Sequence, residues 1–68
     1  MNEFAERLKE SRIEMGLSRK TLAEMCGASV KAISQWEVGR SECDFDMLIK
    51  LSTALDISID YLLGKTDY

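Results

Sequence analysis

Histidine and proline are both missing from this chain, and cysteine occurs only twice. Each shortage closes off some chemistry. Two thiols without imidazoles supply too few soft ligands for an ordinary four-ligand zinc site, so no metal or other cofactor is implied. The serines have no histidine to activate one of them as a nucleophile. A chain of 68 residues is also not expected to form a substrate cleft of ~300 Å³ or more. An enzyme with a small-molecule substrate is therefore the weakest reading. No apolar run approaches the ~20 residues that span a bilayer. Met1 to Arg7 carries charges and does not resemble a secretory signal. The expected location is the cytoplasm, without a membrane partner, where a disulfide between Cys26 and Cys43 is not expected. Without proline or any alternating β-branched run, the chain reads as all-α. It also lacks repeats, linkers and low-complexity stretches, so residues 1–68 read as a single small domain.

What is present is a globular mixture, 46% hydrophobic and 31% charged, with a net charge of −3. That sum argues at first sight against a nucleic-acid partner, but its distribution does not. Residues 1–40 carry seven Lys/Arg against six Asp/Glu, and residues 41–68 carry two against six. Between 18 and 40, Arg19, Lys20, Lys31 and Arg40 oppose only Glu24 and Glu37.

The same stretch has the clearest local pattern. Ser18 is placed to cap a helix, with Leu17 and Leu22 as a hydrophobic staple across the cap. Leu22, Ala23 and Cys26 share one face before Gly27, which suits a left-handed residue just past a helix end. Cys26 thus reads as a small buried hydrophobe, whereas Cys43 falls in a polar loop and reads as exposed. Ser29 offers a second cap only two residues after Gly27. So short a connection implies two helices crossing steeply, which is a helix-turn-helix over about 18–38.

The second of these helices, Val30 to Val38, has two different faces at 100° per residue. Ala32, Ile33, Trp36 and Glu37 fall on the inner one, so Trp36 reads as core and Glu37 requires a partner. Val30, Lys31, Ser34, Gln35 and Val38 fall on the outer one. Lys31 and Gln35 suit a helix whose N-terminal end enters a major groove. From that face alone, an ordinary solvated surface remains an open alternative.

The flanking segments read as three more helices. The first spans about Glu3 to Met15, capped by Asn2 and closed by Gly16, with Phe4, Leu8, Ser11 and Met15 inward. The fourth spans Phe45 to Leu55 behind Asp44, with Phe45, Leu48, Leu51, Ser52 and Leu55 as its inner stripe. The fifth is Ile59 to Leu63, capped by Ser58, stapled by Ile57 and Leu62 and closed by Gly64. Lys65 to Tyr68 has no pattern and is expected to fray.

Arg12, Gly16-Leu17-Ser18, Leu22-Ala23, Gly27, Ser29, Ile33-Ser34-Gln35-Trp36-Glu37 and Gly39-Arg40 together resemble the Cro and phage-repressor (XRE-like) helix-turn-helix regulators. The likeness continues through Leu51 to Leu55 and Ile59 to Gly64. It implies a compact five-helix fold whose third helix reads double-stranded DNA. The function implied is a sequence-specific transcriptional regulator, a repressor, binding a pseudopalindromic operator. A protein-interaction module on the same fold, an antitoxin or antirepressor target with a protein partner, is the alternative.

By the same resemblance, Val30, Lys31 and Gln35 take the main base-reading positions, with Ser34 beside them. Arg19, Ser29, Arg40 and Lys20 take phosphate-contacting positions. Arg12 and Glu37 resemble a buried ion pair tying the first helix to the third. Homodimerisation through the C-terminal helix would use Ile57, Ile59, Tyr61 and Leu62. Two departures stand out. Val30 replaces the polar residue of many relatives, and the acidic loop from Ser41 to Asp46 replaces a basic, proline-containing one.

Overall fold

The computed structural model describes residues 3–67, so the Asn2 cap and Tyr68 lie outside the described residues. Five helices follow in order: α1 (Glu3–Glu14), α2 (Arg19–Cys26), α3 (Val30–Glu37), α4 (Phe45–Leu55) and α5 (Ile59–Leu62). Their starts are set by short polar side chains. Ser18, Ser29, Asp44 and Ser58 each accept a backbone N–H from the residue three further on, at Thr21, Ala32, Met47 and Tyr61. Each bond satisfies a donor that the helix itself leaves unpaired. Asp44 thereby turns its carboxylate toward its own helix, at 2.8 Å from the Met47 amide. The acidity of that loop is thus partly spent on capping.

Gly27 ends α2 with φ 69°, a left-handed conformation that a Cβ would strain, and the chain resumes at Ser29. That turn brings α3 across α2. One core gathers from all five helices: Phe4 and Leu8, then Leu22, Ala23 and Cys26, then Ile33 and Trp36, then Leu48, Leu51 and Leu55, then Leu62. Burying a leucine of this kind removes it from water at a gain of about 1.5–3 kcal/mol. Leu17 packs on the edge of this core, to which fully buried Leu22 belongs.

Several sequence expectations need correction. Phe45 is 85% exposed and does not belong to the inner stripe of α4. At 100° per residue it lies roughly 90° from the centre of Leu48, Leu51 and Leu55, and it begins the helix, where no neighbour overhangs it. Met15 has the right angle for the inner face of α1 but is exposed, because α1 ends at Glu14 and the chain turns away at Gly16. α3 and α5 also stop one residue short, with Val38 and Leu63 as their C-caps. Cys43 is only partly exposed and packs against the core.

Arg7 gathers several contacts at the C-terminal end. Arg7 stacks over the Tyr61 ring at 4.5 Å and donates to the Tyr61 carbonyl at 2.9 Å and to the Thr66 carbonyl. It also pairs with Glu3 at 3.0 Å, one helical turn away, and with Asp67 at 3.6 Å. Gly64 closes α5 at φ 83°, where a Cβ would sit 2.8 Å from the Glu3 side chain. Both backbone conformation and space therefore demand glycine there.

Candidate nucleic-acid interface

α3 is anchored along one side and free along the other. Ile33 is fully buried, and Trp36 and Glu37 are also buried. On the opposite side, Val30, Lys31 and Val38 are exposed, and Ser34 and Gln35 are partly so. The Ser29 hydroxyl takes the Ala32 amide at 3.0 Å and itself remains exposed. The helix therefore presents an amide, an ammonium, two hydroxyls and two small apolar groups toward solvent. Those are the side-chain types that bond to base edges or contact a thymine methyl.

The buried end of α3 is tied down by charge. Arg12 Nε donates to Glu37 Oε2 at 2.7 Å, and Nη2 donates to Oε1 at 3.2 Å. Its Nη1 donates to the Leu17 carbonyl at 2.8 Å, closing the connection between α1 and α2. The Glu37 side chain is 1% exposed. A carboxylate so removed from water is tolerable only when paired and fully bonded.

Arg19 is not a free surface side chain. Its Nε donates to Glu37 Oε1 at 3.1 Å, while the side chain as a whole stays 42% exposed. Sequence spacing contains no sign of this contact, which arises because the start of α2 crosses the end of α3. Lys20 and Arg40 are exposed. Arg40 follows α3 by three residues, so it lies toward the same end of the helix as the Arg19 contact. Val30, Lys31 and Ser29 lie at the other end.

The proposed dimer residues are placed differently from one another. Leu62 is fully buried and belongs to the core, so it cannot meet a second copy. Ile57 and Ile59 are partly buried against that core, and Tyr61 is half-covered beneath Arg7. Phe45, Ile49 and Leu63 are exposed apolar side chains of α4 and the end of α5. Phe45 and Leu63 line one cleft of about 160 Å³ together with Phe4, Cys43 and Leu48.

A larger open groove, about 730 Å³, runs between the end of α1 and the α4–α5 connection. It exceeds the cleft size expected of so short a chain. Its lining includes Met15, Ile57 and Tyr61 with the carboxylates Glu14, Asp56 and Asp60, and Ser58 there caps α5. Among the described residues, no group of three or more metal-ligating side chains is positioned to hold a metal ion. Burial pushes both thiols, Cys26 and Cys43, up from the ordinary cysteine value. Among the described residues, no helix is long and apolar enough to cross a membrane.

Comparison with known proteins adds an independent finding. The helix-turn-helix family model matches residues 8–62. A prophage-derived helix-turn-helix regulator of Bacillus subtilis, YonR, is 38% identical over 63 residues, covering 93% of this chain and 58% of the relative. The chain spans about half the length of the curated relatives it matches. Among solved structures, the P22 c2 repressor in complex with a synthetic operator superposes with a TM-score of 0.89 at 38% identity. That match covers 93% of this chain and 96% of the repressor chain. The restriction-modification controller protein C.AhdI of Aeromonas hydrophila superposes with a TM-score of 0.82 at 37% identity, covering 88% and 91%.

Proposed function

The chain belongs to the helix-turn-helix family of phage-repressor type, and on that premise we propose that it is a sequence-specific DNA-binding transcriptional regulator, a repressor acting in the cytoplasm. The observation that carries this reading is the two-sided α3. Ile33 and Trp36 anchor it, while Lys31 and Gln35 remain accessible on its outer side. Laid in a major groove, Gln35 pairs with adenine through N6 and N7, and Lys31 donates to guanine O6 or N7. Val30 offers an apolar contact and Ser34 a hydroxyl. Arg19, Lys20, Ser29 and Arg40 meet phosphates and fix the register, without carrying sequence information of their own.

One such domain spans about half of an operator. Two copies related by a two-fold axis would set their α3 helices one helical turn apart, about 34–36 Å, on a pseudopalindrome. Because Leu62 is core, the face that suits a second copy is that of the exposed apolar side chains Phe45, Ile49 and Leu63. Selection of bound duplexes from a random pool at moderate salt tests the whole reading. An enriched pseudopalindrome is expected, and a pool that never departs from random would overturn it.

A second reading, a protein-interaction module, draws on the groove between α1 and α5, whose apolar walls carry Glu14, Asp56 and Asp60. A stoichiometric protein partner combined with no salt-dependent DNA binding would select it.

A further inference from the structure

We infer that Glu37, besides holding the helices together, positions the Arg19 guanidinium as an oriented fork for a DNA phosphate. The inference rests on the DNA-binding reading above and adds a role for a residue that never meets the DNA.

Arg12 by itself already satisfies Glu37. It donates to both carboxylate oxygens, at 2.7 Å and 3.2 Å, and balances the charge. A second guanidinium on the same carboxylate leaves the three groups with a net charge of +1. That excess sits on Arg19, the more exposed of the two arginines, at 42% against 10% for Arg12. Among the described residues, Arg19 is bound through Nε, to Glu37. This fixes the plane of its guanidinium and leaves its two terminal amino groups for a ligand. Two parallel N–H groups in one plane match the oxygens of a phosphodiester, a geometry that a lysine ammonium cannot copy.

The tether also has an entropic consequence. A free arginine loses rotamer freedom when it grips a phosphate, whereas one already fixed has lost it on folding. Glu37 is thus a positioning residue, acting on phosphate through Arg19. Arg40 and Lys20, exposed and without such a tether among the described residues, supply charge without this orientation.

Binding of the full chain to a mixed-sequence DNA duplex, titrated across salt concentration, tests the idea with R19A, R19K and E37Q. R19A keeps the Arg12–Glu37 pair and should fold. It is expected to bind about tenfold more weakly and to flatten the salt slope by about one unit. R19K retains the charge, so its salt slope should match wild type, yet its affinity at fixed salt should fall most of the way to that of R19A. E37Q should weaken binding several-fold in the wild-type background and have a clearly smaller effect in the R19A background.

R19K binding as tightly as wild type would overturn the inference, because charge alone would then suffice. An E37Q effect of equal size in both backgrounds would overturn it as well, since it would mark Glu37 as purely structural. Should E37Q fail to fold, E37D, which keeps the charge but shortens the reach to Arg19, takes its place in the same two backgrounds. If the unsubstituted chain bound no duplex at all, the DNA-binding reading would fall, and this inference with it.

Discussion

Phe45 and Leu63, eighteen positions apart in sequence, line the same shallow cleft, and both stand exposed, Phe45 at 85% and Leu63 at 53%. Neither contributes to the core that their own helices build. A phenylalanine left this open gains nothing by staying in water, and a second copy is the occupant proposed above. Phe45→Glu should therefore remove self-association while changing unfolding free energy by no more than about 0.5 kcal/mol. Sedimentation with and without operator, beside a urea melt, reads both quantities. Wild-type protein that remained monomeric in both conditions would reject the dimer.

Arg12→Ala leaves the Glu37 carboxylate, 1% exposed, without its principal partner. Breaking a buried pair in this way costs about 3–5 kcal/mol. Arg19 still donates to Oε1, so the lower end of that range is expected. For a domain of this size, such a loss leaves little margin. A urea midpoint that implied less than about half a kcal/mol would show that the pair does not support the fold.

Gln35→Ala should relax the preference at one base position of a selected operator and cost roughly 1–3 kcal/mol there. Binding to unrelated sequences should barely change, because the proposed docking assigns Gln35 to a base and not to a phosphate. The comparison requires affinities on the preferred duplex and on one altered at each position in turn. Equal losses on every duplex would falsify the assignment of Gln35 to base reading.

The two thiols should differ in reactivity. Burial raises both from their ordinary value, which keeps them protonated near neutral pH. Cys26 is buried and Cys43 only partly so, so alkylation of the native protein should label Cys43 first and Cys26 only on unfolding. The sign of the pH effect follows from the raised values. The neutral buried thiol stabilises the fold fully below the thiol value of the unfolded chain, and this contribution is lost as pH climbs toward the raised value. Peptide mapping after timed labelling gives the order, and melts carried upward from neutral pH give the trend.

Much of the architecture could be read from single residues because the interactions that set it are local. Ser18, Ser29, Asp44 and Ser58 mark helix starts by bonding to an amide three residues away, and Gly27 marks an end by its own φ. The Glu3–Arg7 pair is similarly visible as a spacing of four. None of these needs knowledge of what lies across the molecule. The extra hold of Arg7 on Tyr61 and Thr66 does need it, and no spacing in the sequence announces it.

Periodicity failed where a helix outruns its neighbours. Met15 has the correct angle but stands past the last residue of α1 on the wall of an open groove, and Phe45 starts α4 at the rim of the core. Leu62 failed in the opposite direction, since a four-residue helix contains too little pattern to tell its buried leucine from the exposed one beside it.

The order of residues was thus enough to mark the five helices, the caps of α2 to α5 and the inner and outer sides of α3, because 100° per residue and a three-residue cap are properties of the backbone itself. Only the packing of helix on helix decided that Arg19 meets Glu37, that Leu62 is core and that Phe45 faces water. Those outcomes depend on which side chain stands opposite, and an opposite side chain is chosen by the crossing of distant segments.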